Sequence, residues 1–352
     1  MQEILKKFSK AQDSLVTQHS DFSLSAIYEM VKNGSIDIAP HYQRRDRWTE
    51  EKQSALIESF LINVPVPPVY LSEDDYGVYT VIDGKQRITA ISDFLSGKLE
   101  LKELKEIPEL NGCTFDELPS QLRNALTVRP FIRVIILLKQ SDPELKYEVF
   151  LRLNTGGEKL MAQEIRNVAY SGPLNDLLFE LSTNEFLKQQ MKITSEKSAS
   201  FRNMDDLEIV LRFFTLKERW TNFGRKISVG MDIFMSQNRY EPIDDLRHDF
   251  NRALQGCINL WGNNAFQKPI PGGWRDQLIA PLYDAQMIAV SLLSDQKIQE
   301  LSQNPQIVLD ATRDLYENNA TFLKAVSQAT GDTAAINNRV SALFDLLNSI
   351  EV

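Results

Sequence analysis

The sequence predicts an α+β fold, a small mixed sheet with helices, followed by an all-helical domain. Three observations predict it. The β-branched and aromatic runs, strongest at Val78–Ile82 and Phe131–Leu138, all lie before residue 140. Among them sit segments with apolar residues at helical spacing. Beyond residue 140 almost only helical periodicity is found. Two domains are therefore expected, 1–140 and 141–352.

In chain order, residues 1–18 and 23–33 read as short helices, the second stopped by Asn33-Gly34. Ser35–Ile38 reads as a short strand. Pro40 and the polar stretch HYQRRDRW lead to Thr49, an N-cap with Glu50 and Glu51 in the first turn behind it. That helix turns Leu56, Ile57, Phe60 and Leu61 inward and must stop before NVPVPP. Val69–Leu71 is a strand, Asp74–Gly77 a hairpin turn and 78–82 the next strand. Asp83-Gly84 is a tight turn into a helix whose apolar face holds Ile88, Ile91 and Leu95, with Ala90 and Phe94 beside them. The pattern weakens over Lys98–Glu117, and the strand at 131–138 closes the section. Helical periodicity then covers 143–153, 160–170, 174–190, 204–218, 243–260, 275–294 and 305–350 in pieces, with breaks at SGP, around Gly224–Gly230 and at PIPGGW. No fixed-period repeat stands out.

Composition bounds the function. The chain of 352 residues is 43% hydrophobic and 25% charged, as a globular protein is. No apolar run reaches the roughly 18 residues of a spanning helix, and the amino terminus lacks the form of a signal sequence, so a cytoplasmic protein is expected. Cys113 and Cys257 stand far apart, without the spacing of a disulfide framework or a zinc site. A formal net charge of -9 argues against a protein that coats nucleic acid through its overall field. DNA contact would need a local patch, and Arg44, Arg45 and Arg47 form one candidate and Lys85 with Arg87 another.

Three motifs carry chemistry. Asp83-Gly84-Lys85-Gln86-Arg87 stands where a strand meets a helix amino terminus, and unpaired N–H groups and the helix dipole favour an anion there. Lys85 and Arg87 add charge-assisted donors. Asp83 has the wrong sign for phosphate unless a divalent cation or a water lies between, or unless it pairs with Arg87. An N-capping Asp before a solvated basic turn is the plain structural alternative. The second motif, His41–Trp48, also runs into a helix amino terminus, with Trp48 expected in the core. The third, FLRLNTGGEKL followed by QEIRN, reads as a helical hairpin with a glycine cap. Gln163, Arg166 and Asn167 fall on one face of its second helix.

The ordered set Q-R-x-x-x-W, P-x-P-P-x-Y-L, V-I-D-G-K-Q-R-I-T-A-I and F-x-R-L-N-T-G-G-x-x-L-x-x-Q-E-I-R-N resembles the amino-terminal family of GmrSD-type modification-dependent restriction systems. The resemblance runs from about residue 20 to about 215 and includes Phe201–Asp206. It implies a ParB/sulfiredoxin-like sheet and a nucleotide-binding, NTP-hydrolysing subunit of a prokaryotic defence system. It implies Gln43, Arg44, Gly84, Lys85, Arg87, Thr89, Asn154 and Arg166 as nucleotide ligands, and Asp83, Gln86 and Arg87 as catalytic residues. Asp83 would act through Mg²⁺ or water. Residues 141–215 would complete the site and 216–352 supply a packing or partner surface. Lys85 departs from the DGQQR signature of the family, which has Gln there. The HNH nuclease half of multi-domain relatives has no counterpart among His19, His41 and His248, so a separate nuclease or effector protein is an expected partner. Two other functions compete: a non-catalytic, nucleotide-gated DNA- or protein-binding module of ParB type, and a ParB-like DNA nuclease.

Overall fold

A computed structural model describes residues 4–5, 8, 14–38, 48–153, 161–222, 224 and 226–351. It divides into two compact units, Met1–Ala169 and Tyr170–Val352.

The first unit is built on a mixed five-stranded sheet. In chain order it contains β1 (Thr17–Ser23), α1 (Leu24–Lys32), β2 (Ile36–Asp37), α2 (Glu50–Leu61), β3 (Val69–Asp75), β4 (Val78–Asp83), α3 (Lys85–Leu95), α4 (Ser120–Val128), β5 (Phe131–Leu137), α5 (Pro143–Leu153) and α6 (Ala162–Ala169). The strand order is β1-β5-β3-β4-β2. β3 and β4 form the expected antiparallel hairpin, while β3 runs parallel to β5 and β2 parallel to β4.

Because side chains alternate across a strand, β3, β4 and β5 present two apolar faces. Val69, Leu71, Val81, Ile132, Val134 and Ile136 face one large core with Leu24 and Ile27 of α1, Leu56 and Phe60 of α2, Ile88 and Ile91 of α3 and Leu126 of α4. Ile82 and Leu137 face the other side, where Ile165 of α6 packs with Tyr70, Val149 and Leu153. This second face explains why the compact unit ends at Ala169 rather than at the expected 140. Without α5 and α6 the alternate residues of β4 and β5 would lie in water.

The weakly patterned connection 98–119 is held by polar groups of α2. Ser54 Oγ accepts from the Lys102 amide at 2.9 Å, and Glu58 Oε1 accepts from the amides of Glu106 and Ile107 at 2.8 and 3.1 Å. β1 is a correction to the sequence reading, which placed helix up to residue 18. Thr17–Ser23 pairs along its whole length with β5, from Thr17 opposite Leu137 to Ser23 opposite Phe131. Its residues are polar except for Phe22, and mostly exposed, so little in the local sequence marks it as a strand.

The second unit is helical. It contains α7 (Pro173–Ser182), α8 (Glu185–Gln190), α9 (Ala199–Arg202), α10 (Asp205–Arg219), α11 (Ile227–Asn238), α12 (Asp244–Trp261), the hairpin β6 (Gln267–Ile270) and β7 (Gly273–Leu278), then α13 (Ala280–Leu292), α14 (Asp295–Ser302), α15 (Pro305–Asn318), α16 (Ala320–Ser327) and α17 (Thr333–Ser349). The hairpin corrects the expected helix start at 275. Gly272 takes a left-handed φ of 79° at the turn, the strand continues to Leu278, and the helix begins at Ala280. α13 is the central helix, buried from Leu282 to Val290. Trp261 and Tyr283 belong to the core. No described helix is long and apolar enough to cross a membrane.

Candidate functional site

The turn after β4 shows how local chemistry builds the site. Gly84 caps α3 in a left-handed conformation, φ 96° and ψ 13°, which costs an L-residue about 1–2 kcal/mol. Its Cα faces protein rather than an open groove. A Cβ at that position would lie 2.7 Å from Val69 Cγ2 and 3.0 Å from Arg87 Nη2. The absent side chain makes room for the Arg87 guanidinium, which folds back along the turn.

Arg87 Nη2 donates to Asp83 Oδ2 at 2.7 Å and to the Pro68 carbonyl at 3.1 Å. Its side chain is 14% exposed against 51% for Asp83. The arginine is thus tucked under the turn and the carboxylate stands outside. Arg87 Nε is buried with no hydrogen-bond partner among the described residues. Gln86, next to it, points the other way along the chain. Its Oε1 accepts from the Trp48 amide at 3.1 Å, and Gln53 Nε2 donates to the Trp48 carbonyl at 3.0 Å. Both polar groups of the Trp48 peptide are therefore taken by side-chain amides, one from α3 and one from α2. The Trp48 ring packs against the large core, as its sequence context suggested.

Residues from three of the four ordered sequence patterns meet here. Trp48 closes the basic stretch, Pro68 stands one residue ahead of β3, and Asp83–Arg87 is the turn itself. Gln43, Arg44 and the rest of His41–Arg47 lie outside the described residues, as does Asn154. Lys85, Gln86 and Thr89 are half-buried on the first turns of α3, and Gly84 is buried.

The third motif arrives by α6. Ile165 packs with Ile82, the residue before Asp83. Arg166 follows Ile165 and is 1% exposed, donating through Nη1 to Gln163 Oε1 at 3.3 Å. Gln163 Nε2 in turn donates to Asn167 Oδ1 at 2.9 Å, and Glu164 Oε2 caps the helix by accepting from the Met161 amide at 2.7 Å. The expected polar face of this helix is therefore an internal network. Arg152, grouped with it by sequence, is an exposed residue paired with Glu148 at 3.3 Å.

Among the described residues no group of three or more His, Cys, Asp or Glu side chains is suited to a metal ion. Mg²⁺ is commonly held by one or two carboxylates together with substrate phosphates, and Asp83 is the carboxylate of this turn.

Residues 24–171 match the family model described as the GmrSD restriction endonuclease, N-terminal domain. Over those residues the chain is similar to the GmrSD N-terminal family. Its limits carry information: the match takes in α5 and α6, so the third motif belongs to the same domain as the first two. β1, which completes the sheet, precedes the matched residues. No curated protein matches the chain.

Gln53 and the Pro68 carbonyl are contributors that sequence reasoning missed. Gln53 sits four residues beyond the Thr49 cap and carries no motif. A main-chain carbonyl has no sequence signature at all.

In the second unit, a cleft of about 290 Å³ is lined by Asp205, Glu208 and Arg212 of α10, with Met191, Leu278 and Ala280 among its other walls. Asp205, in the segment Phe201–Asp206, has its carboxyl pushed up by burial, against a hydrogen bond from Ser200. Arg212 is tied from behind to the fully buried Asp284, its Nε donating to Oδ1 at 3.0 Å.

Proposed function

We propose that this GmrSD-like domain binds a nucleoside triphosphate at the amino terminus of α3 and hydrolyses it, as a subunit of a prokaryotic restriction-type system. The observation that carries the reading is that Trp48, Pro68 and Asp83, from three separate stretches of the chain, are tied to one helix start by Gln86 and Arg87. The amino terminus of α3 offers the phosphates the positive end of a helix dipole. Asp83, exposed at the edge, orients water or shares Mg²⁺ with the phosphates, and Lys85 adds a cation at the first helical position. Mg²⁺ would supply charge neutralisation on the phosphates when bound.

A second reading has one observation in its favour. The carboxylate of the turn is already engaged by Arg87, which suits a nucleotide-gated binding module with slow or no turnover. Calorimetric titration of the whole chain with each nucleoside triphosphate, with and without Mg²⁺, tests both. Binding strengthened by Mg²⁺ with steady phosphate release is expected. Binding without turnover selects the second reading, and no binding rejects both.

Nuclease action is assigned to a separate partner protein. With a net charge of -9 and three histidines, the chain is expected to leave modified and unmodified plasmid intact. Cleavage abolished by Asp83→Ala would reverse that assignment.

A further inference from the structure

We infer that the cleft of the second unit binds a small dipolar ligand of amino-acid type, its carboxylate taken by Arg212 and its ammonium by Glu208 and Asp205. The site lies wholly within Tyr170–Val352 and is independent of the nucleotide reading. Its volume of about 290 Å³ stands at the lower end of the roughly 300–1,000 Å³ usual for ligand pockets. That size suits a small metabolite.

Arg212 distinguishes this cleft from a surface hollow. It stands in the third turn of α10, and its side chain is 12% exposed. Nε and Nη2 donate to Asp284 Oδ1 and Oδ2 at 3.0 and 2.5 Å. The guanidinium is thus held from behind in one orientation, and Nη1 is the nitrogen left for the cleft that Arg212 lines. Asp284 also accepts from Arg339, and both side chains of that pair are fully buried. One carboxylate against two guanidinium groups leaves the trio one net positive charge. Arg212 is the member of the trio that lines the cleft, so a ligand anion meets that charge there. Its rotamer freedom is already lost in the fold, and binding a carboxylate need not remove it again.

The neighbouring wall has the opposite sign. Glu208 lies one turn before Arg212 on the same face of α10, and Asp205 nearly another turn earlier, at the exposed rim. Groups one helical turn apart have Cβ atoms about 5–6 Å from each other, a separation that an ammonium and a carboxylate on one carbon can bridge. Ile209, between the two charges, is buried, and with Met191 and Leu278 it gives the cleft an apolar wall. An aliphatic side chain on the ligand fits that wall.

The test screens the whole chain by thermal unfolding against each of the twenty protein amino acids, because a ligand of the folded state raises the unfolding temperature. The strongest stabiliser is then measured by calorimetry beside two analogues, one lacking the amino group and one lacking the carboxyl group; for leucine these are isocaproate and isoamylamine. An aliphatic amino acid is expected to bind, with each analogue at least about tenfold weaker, since each leaves one charged contact unmade. Glu208→Gln should weaken the amino acid about tenfold and leave the affinity for the carboxylate analogue unchanged. Asp205→Asn, at the rim, should act in the same direction. Neither variant touches the Arg212–Asp284–Arg339 core, so cooperative unfolding without ligand is expected in both. The inference is overturned if no amino acid stabilises the chain, if either analogue binds as tightly as its parent, or if both variants keep wild-type affinity.

Discussion

At Gly84 a single hydrogen in place of a side chain decides where a guanidinium goes. Alanine there would put a Cβ 2.7 Å from Val69 Cγ2 and 3.0 Å from Arg87 Nη2, on a backbone at φ 96°. Val69 is a fully buried β3 residue and cannot retreat, so Arg87 must. Gly84→Ala is therefore expected to lower stability by about 1–3 kcal/mol and to release Asp83 from Arg87. Arg87→Ala removes the same hold without the clash. Its lost partner Asp83 is half-exposed, and a pair of that kind contributes about 0–1 kcal/mol. Urea unfolding should separate the two variants, whereas calorimetry with a nucleoside triphosphate should show similar loss of affinity. Wild-type affinity in Gly84→Ala would show that the position of Arg87 does not matter for binding.

The element that carries the site is amphipathic. α3 buries Ile88, Ala90, Ile91 and Phe94 and leaves Lys85, Gln86, Arg87 and Thr89 half-covered on its first turns. Ile91 has no exposed surface and lies in the core beneath the sheet. A carboxylate there would have neither water nor a cation, and the cost, above about 4 kcal/mol, is a large share of a domain's stability. Ile91→Asp should thus abolish cooperative unfolding of the first unit by circular dichroism, while Arg87→Ala keeps it. The neighbouring elements follow the same logic. α5 and α6 close the second sheet face through Val149, Leu153 and Ile165, and this brings the third motif to Ile82, one residue from the turn.

On the scale of the whole molecule, the second unit is held at its centre by a buried charge cluster. Asp284 bonds Arg212 through both oxygens and also accepts from Arg339. Arg339 donates further to the carbonyls of Ala325 and Thr330, at 3.2 and 2.7 Å. Burial pushes the Asp284 carboxyl up, but the two guanidinium groups outweigh it and hold the group below the usual carboxylate range. A carboxylate whose folded pKa is depressed adds stability above its unfolded pKa, about 3.9, and loses it as pH falls through the folded value. Asp284→Asn leaves two cations uncompensated and should cost about 3–5 kcal/mol near pH 7. The gap between variant and wild type should narrow below about pH 4, read from denaturant midpoints across pH. A gap that stays constant to low pH would mean that Asp284 acts through packing alone.

The sequence by itself determined the helix of the turn, the β3–β4 hairpin, strand β5 and the helical character of the second half. Each is encoded by neighbours in the chain: β-branched runs, a glycine that must take positive φ, and apolar residues at helical spacing. It also determined which motifs belong together, since their order needs no coordinates. Tertiary structure decided the rest. β1 is a strand because Thr17–Ser23 finds the open edge of β5, although all its residues but Phe22 are polar. The first unit runs to Ala169 because β4 and β5 present a second apolar face. In the sequence Arg87 reads as a charge-assisted donor for phosphate and Gln86, by resemblance, as a catalytic residue, yet their partners here are Trp48, Pro68 and Asp83. Two of those three contacts go to main-chain groups, which every residue carries alike, so no side-chain pattern in the sequence can announce them.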